Sequence, residues 1–126
     1  MRIDIVASSV ITENKKILLV IDAENQYKIP GGRKEDNETF EETVKREAKE
    51  EISSDVKVFD LINVFSVIYQ GVKYAIFNYR AKLLSDPKPA NEVKSLGWHS
   101  YEECKKLNLS PNAKHIVEFL HKKGEF

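Results

Sequence analysis

Cysteine, tryptophan and methionine each occur once among the 126 residues, and this scarcity narrows the field before any motif is read. Cys104 on its own excludes an intramolecular disulfide, and with only His99, His115 and His121 beside it there is no Cys/His spacing for zinc. No apolar run approaches the roughly 20 residues needed to span a bilayer. The first stretch, MRIDIVASSVITENKK, lacks a basic leader followed by a long apolar segment and a cleavage site. A soluble, cytoplasmic protein without a membrane partner is the expectation. Neither sign of charge is in excess, since Lys plus Arg and Asp plus Glu are 20 each. No global field favours nucleic acid, so a polyanionic substrate would have to be captured by a local site. Internal repeats and low-complexity tracts are also missing, and 126 residues suit one domain with a real core.

What is present alternates between apolar strands and two helical patterns. IDIVASSV and ILLVID, separated by ENKK, predict a hairpin or two neighbouring strands. QYKI from Gln26 predicts a short strand that stops at Pro30, where the Gly31-Gly32 pair should end any ladder. Thr39 with Glu42 is a capping-box pattern and predicts a helix to about Ile52. VKVFDLINVFSVIY and KYAIFNYRAKLL predict an antiparallel pair turning at Gln70-Gly71, followed by the loop SDPKPANE. A short strand over Leu96 to His99, a helix YEECKKL behind the cap Ser100, and a last helix from Pro111 to Lys123 complete the chain. Strands first and last with a helix between them give α+β architecture around one sheet.

The first helix carries the chemistry. On a wheel of about 100° per residue, Phe40, Val44, Ala48 and Ile52 form an inward stripe, and Glu47 and Glu51 fall inside or beside it, with Glu50 close by. Lys45, Lys49 and Glu42 lie on the far side. Clustered inward carboxylates repel each other and are costly to bury without partners. The wheel alone is balanced against a solvated face supported by i,i+4 pairs. Gly31-Gly32 decides between them, because a backbone without side chains can approach a ligand closely. Carboxylates with a backbone carbonyl are hard oxygen donors of the kind that hold Mg²⁺ or Mn²⁺ against substrate phosphates.

Gly32, five residues, Glu38, seven residues, then Arg46-Glu47-Ala48-Lys49-Glu50-Glu51 resembles the signature of the Nudix (MutT-like) hydrolases, over the 23 residues from Gly32 to Ser54. Tyr27 with Pro30 to Gly32, and the late Trp98 before a short helix, are similar to the family's wider order. Ser53 and Ser54 depart from it, standing where the signature has glycine and an aliphatic residue, and Ala48 is smaller than its usual counterpart. The resemblance implies a Nudix fold, an α/β/α sandwich around a mixed β-sheet, and a Mg²⁺-dependent (or Mn²⁺-dependent) pyrophosphohydrolase. Its substrate would be a small nucleotide-type molecule, a nucleoside diphosphate linked to another group, such as a nucleoside triphosphate.

Carried over by position, the resemblance makes Glu47, Glu50 and Glu51 metal ligands, with the Gly31 carbonyl as a further one and Glu47 alternatively the general base. Arg46 would orient a glutamate, Glu38 would brace the loop, and Glu92 would add a later catalytic or metal-binding carboxylate, or else be a solvated loop charge. Gly32, Arg33 and Tyr27 are candidates for substrate contact, as is Lys34. Arg33 and Lys34 can equally be surface charges, and Tyr27, Tyr69, Phe77 and Tyr79 on strands can equally be core. Trp98 and Cys104 are read as core residues, and the histidines receive no role. Alternatives are a dinucleoside-polyphosphate or ADP-ribose type hydrolase, and a non-catalytic nucleotide-binding module. Oligomeric state is open, a homodimer included.

Overall fold

The computed structural model describes residues 2–126, and the reason for its architecture is already in β3 (Lys16–Ile21). Successive strand residues face opposite ways, so an unbroken apolar run requires cover on both faces. Ile17 and Leu19 enter a core with Val10, Ile29, Ala113, Ile116, Val117 and Leu120. Leu18 and Val20 enter a second core with Ala7, Ile11, Val44, Ala48 and Ile52. The first core is roofed by α3 (Pro111–Lys122) together with α2 (Tyr101–Cys104), the second by α1 (Phe40–Ile52). The strands are thus sandwiched between helices, the α/β/α arrangement expected.

They form two sheets rather than one. The first, mixed, has the order β5 (Gly31–Arg33), β1 (Arg2–Val10), β7 (Val72–Leu83), β6 (Val56–Tyr69), with β1 parallel to β7 and the outer pairs antiparallel. The second is antiparallel and centres on β3, flanked by β2 (Thr12–Glu13), β4 (Tyr27–Lys28) and β8 (Ser95–His99). The expected hairpin is therefore β2 with β3, turning at Asn14 and Lys15, whose φ values of 50° and 61° are those of a primed turn. β1 instead runs into the other sheet, because the chain changes sheets at Ile11. Gly31-Gly32 also differs from expectation: it continues a ladder, as the edge strand β5.

The predicted helix ends hold closely. Thr39 caps α1 with the reciprocal Glu42 bond, Ser100 and Glu103 do the same for α2, and Ser110 with Pro111 opens α3. α2 is shorter than expected, since the chain must straighten to bridge Leu109 to Tyr27. Ser53 closes α1 in the left-handed conformation, φ 51°, and Ser54 is fully buried, its hydroxyl bonded to the carbonyl and hydroxyl of Ser85. Ser54 thus does with hydrogen bonds what an aliphatic residue would do by packing, while Ser53 takes the left-handed conformation that glycine adopts without strain. No helix among the described residues is long and apolar enough to cross a membrane.

Candidate active site

The site begins at the open edge of β5. Ser9 N donates to Pro30 O and Lys34 N to Ile5 O, so Ala7 and Gly32 between them form the hydrogen-bonded pair and Gly31 lies opposite Ser8 without ladder bonds. The N–H and C=O of Gly31 therefore face away from β1, toward α1. Glu51 Oε1 accepts that N–H at 3.0 Å, and the carbonyl points to the same edge. Close approach to backbone demands glycine at Gly31, whereas at Gly32 a side chain would displace the flexible end of Glu47. A Cβ at Gly31 would sit 2.6 Å from Ala7 O, and one at Gly32 would collide with the Glu47 carboxylate.

Before α1, the loop is organised by Arg46. Its guanidinium donates to both oxygens of Glu38 (2.6 and 3.0 Å), to Arg33 O (2.9 Å) and to Glu50 (3.2 Å), and stands 3.6 Å from Glu47. Glu38 also accepts from Thr43 Oγ1 and Glu35 N. These bonds, Arg46 first, hold the Glu38 carboxyl at about 2, far below its ordinary 4.5. Glu38 is a brace between loop and helix, as its position in the signature suggests.

The other glutamates are served differently. Burial, with Glu50 nearby, pushes Glu47 upward despite Arg46. Burial pushes Glu51 to about 7, with the Gly31 bond opposing and Glu47 adding to the rise. Glu47, Glu50 and Glu51 line a cavity of about 500 Å³ together with Asn91, Glu92 and Val93. The structure thus brings Glu92 to the helix glutamates from more than forty residues away in sequence. As the side chains stand, no three acidic, cysteine or histidine groups among the described residues converge on one point. Glu51 is turned to Gly31 and Glu50 to Arg46. The donor set nevertheless suits a hard divalent cation: Glu47 and Glu51, whose burial is uncompensated, and the more exposed Glu50, beside a backbone carbonyl free of its ladder.

A second cavity, about 630 Å³, opens on the other side of Gly31, between the mixed sheet and the start of α3. Val6, Ile29, Tyr69, Tyr74 and Ile76 give it apolar walls, and Lys28, Ser110 and Asn112 polar ones. Tyr69, half exposed at the tip of β6, belongs here. Tyr27 does not. Gln26 and Lys28 line the cavity, so strand alternation turns Tyr27 the other way, into the core and edge-on to His99 at 5.5 Å. That corrects its reading as a substrate contact. Arg33 is held by Asp4 at 3.0 Å, and Lys34 lies over the Phe40 ring at 5.6 Å. Phe77 packs on Phe40 at 4.4 Å, Trp98 and Tyr79 against the α1 core, and Cys104 is buried with its thiol raised to about 11.

Sequence reasoning missed Asn91, Tyr74, Ile76 and Asn112. For Tyr74 and Ile76 no signal exists, because β7 is apolar on both faces. Asn91 carried one: an asparagine in a Pro-rich loop is suited to a left-handed turn.

With this geometry in view, comparison with known proteins is informative. The NUDIX domain family model matches residues 2–120. The chain belongs to the NUDIX family, and with it to the hydrolases of diphosphate bonds. A MutT NUDIX hydrolase from Burkholderia pseudomallei is 21% identical with a TM-score of 0.86, over 94% of this chain and 98% of that one. A NUDIX-family hydrolase from Clostridium perfringens is 25% identical with a TM-score of 0.75, over 93% and 97%. A UDP-X diphosphatase is 24% identical with a TM-score of 0.83, over 100% of this chain and 66% of that one. No curated protein sequence matches the chain.

Proposed function

We propose that the protein is a Mg²⁺-dependent pyrophosphohydrolase that cleaves the diphosphate of a nucleotide-type substrate, a nucleoside diphosphate carrying a further group. One observation carries this reading: Gly31 lines the apolar cavity and is bonded to Glu51, which lines the acidic one. A molecule lying across Gly31 would place a planar, weakly polar end among Tyr69, Tyr74 and Ile76 and a diphosphate beside Glu47, Glu50 and Glu51.

Those three glutamates, with the Gly31 carbonyl, would hold the cation, once Glu51 releases the Gly31 N–H. Bound there, a divalent ion would supply neutralisation of the diphosphate and a more acidic water. Arg46 keeps Glu50 and Glu47 oriented while anchored on Glu38. If Glu47 instead stays off the cation, its carboxylate, which burial and Glu50 push toward protonation, would be the group that takes a proton. Glu92 lines the same cavity and would add a further carboxylate there.

The test is a panel of nucleoside triphosphates, ADP-ribose, dinucleoside polyphosphates and nucleotide sugars, incubated with Mg²⁺ or Mn²⁺ and resolved by chromatography. Metal-dependent release of a nucleoside monophosphate or of pyrophosphate from one class is expected. Binding of nucleotides with no turnover in any class would overturn the reading in favour of a nucleotide-binding module.

A further inference from the structure

Three hydrogen bonds fasten the loop after β7 to the last turn of α1. Lys88 N donates to Ile52 O at 2.8 Å, Ala90 N to Glu51 O at 3.1 Å, and the Asn91 side chain, through Nδ2, to Glu50 O at 2.6 Å. The carbonyls at a helix end lack intrahelical partners and accept from whatever reaches them. The first two donors are backbone that nearly any residue supplies. The third depends on what residue 91 is. Asn91 has φ 53°, in the left-handed region that asparagine tolerates, and Val93 N bonds Ala90 O at 3.1 Å, so Asn91 and Glu92 are the central pair of a tight turn. Glu92 thereby stands one residue from a bond to the backbone of Glu50, and both side chains border the acidic cavity.

We propose that Asn91 is a positioning residue: its amide, tied to the Glu50 carbonyl, holds Glu92 beside the helix glutamates on the lining of the acidic cavity. The assignment rests on that cavity being the hydrolytic site. It also separates from a plain helix cap. A cap acts the same whatever residue 92 is, whereas a positioning group acts only through Glu92.

A double-mutant cycle reads the difference, using Asn91→Gly, Glu92→Gln and the two combined. Glycine keeps the left-handed backbone without steric cost and removes only the amide. The readouts are kcat and KM on the best substrate of the panel, Mn²⁺ affinity by electron paramagnetic resonance, and Tm. Asn91→Gly is expected to lower kcat about tenfold, the scale for groups that orient a metal-site residue, with KM within about twofold. In the Glu92→Gln background the same change should cost less than about twofold. Equal losses in both backgrounds, no loss in either, or a fall in Tm as the sole effect would each overturn the proposal. If no substrate is turned over, Mn²⁺ affinity decides by the same comparison. Glu50→Gln serves as the control for the site itself. If that variant retains full turnover and Mn²⁺ affinity, the hydrolytic reading has failed; if it is impaired while the cycle shows no coupling, only the role of Asn91 has.

Discussion

Glu38 and Glu51 stand at opposite ends of one acidic stretch and are held in opposite ways. Glu38 receives both arms of Arg46, a hydroxyl and a backbone N–H, and its carboxyl is drawn down to about 2. Glu51 receives one backbone N–H, lies in a poorly solvated pocket beside Glu47, and is driven up to about 7. The signature thus contains a satisfied half and an unsatisfied half. What the contrast teaches is that acidity alone marks no site. The site is where carboxylates are buried without enough donors, since only there does a cation gain by arriving.

The largest expected effect comes from removing Glu50, which is half exposed and bonded to Arg46 but lines the acidic cavity beside the unsatisfied pair Glu47 and Glu51. Glu50→Gln should lower metal-dependent turnover by roughly 100-fold or more, on the scale seen for essential metal-site groups, while circular dichroism and Tm stay nearly unchanged. Full activity in that variant would show that the two halves do not differ in function. Next is Arg46→Ala, which turns Glu38 into a second underserved carboxylate and frees the Arg33 carbonyl. A fall in Tm of about 5 °C is expected, together with reduced turnover, and calorimetry checks it. Unchanged Tm would mean that the satisfied half is not held by Arg46.

Protonation should then separate the halves. Glu38, with a depressed pKa, contributes stability present above its ordinary 4.5 and lost as pH falls toward 2. Glu51, with a raised pKa, contributes stability present below 4.5 and lost as pH rises through about 7. In metal chelator, Glu51→Gln should therefore stabilise the protein at pH 8 by on the order of 2 kcal/mol and flatten the slope of stability between about pH 5 and 8. A slope unaffected by this change would remove Glu51 from the unsatisfied half. The smallest effect is at the helix end. Ser53→Gly relieves a left-handed serine at φ 51° and should raise stability by about 1 kcal/mol, read by denaturant unfolding, with turnover unaltered.

Much of this could be read along the chain. The capping pairs Thr39 with Glu42 and Ser100 with Glu103, the Ser110-Pro111 start and the Gln70-Gly71 turn are local events, fixed by a few neighbouring residues, and all occur where expected. The inward direction of Glu47 and Glu51 followed from helical periodicity. Sheet membership did not follow, because β1 and β3 are equally apolar and nothing in either says that the chain changes sheets at Ile11. Gly31-Gly32 looked like a terminator for a related reason: glycine has no side chain to report that a neighbouring strand accepts it. Tyr27 failed as a substrate contact because a two-residue strand is too short for its alternation to show which face is which.

By itself, then, the sequence determined the helix that carries the glutamates and the spacing that puts two of them inward, since each depends on bonds within a few residues. Tertiary structure alone decided that Glu92 lines one cavity with Glu47 and Glu50, that Arg46 reaches back to the Arg33 carbonyl, and that Gly31, packed on Ala7, bonds Glu51 while lining the apolar cavity. Those relations join residues distant in sequence, and such contacts are set by how the sheets and helices pack, for which no local pattern carries a signal.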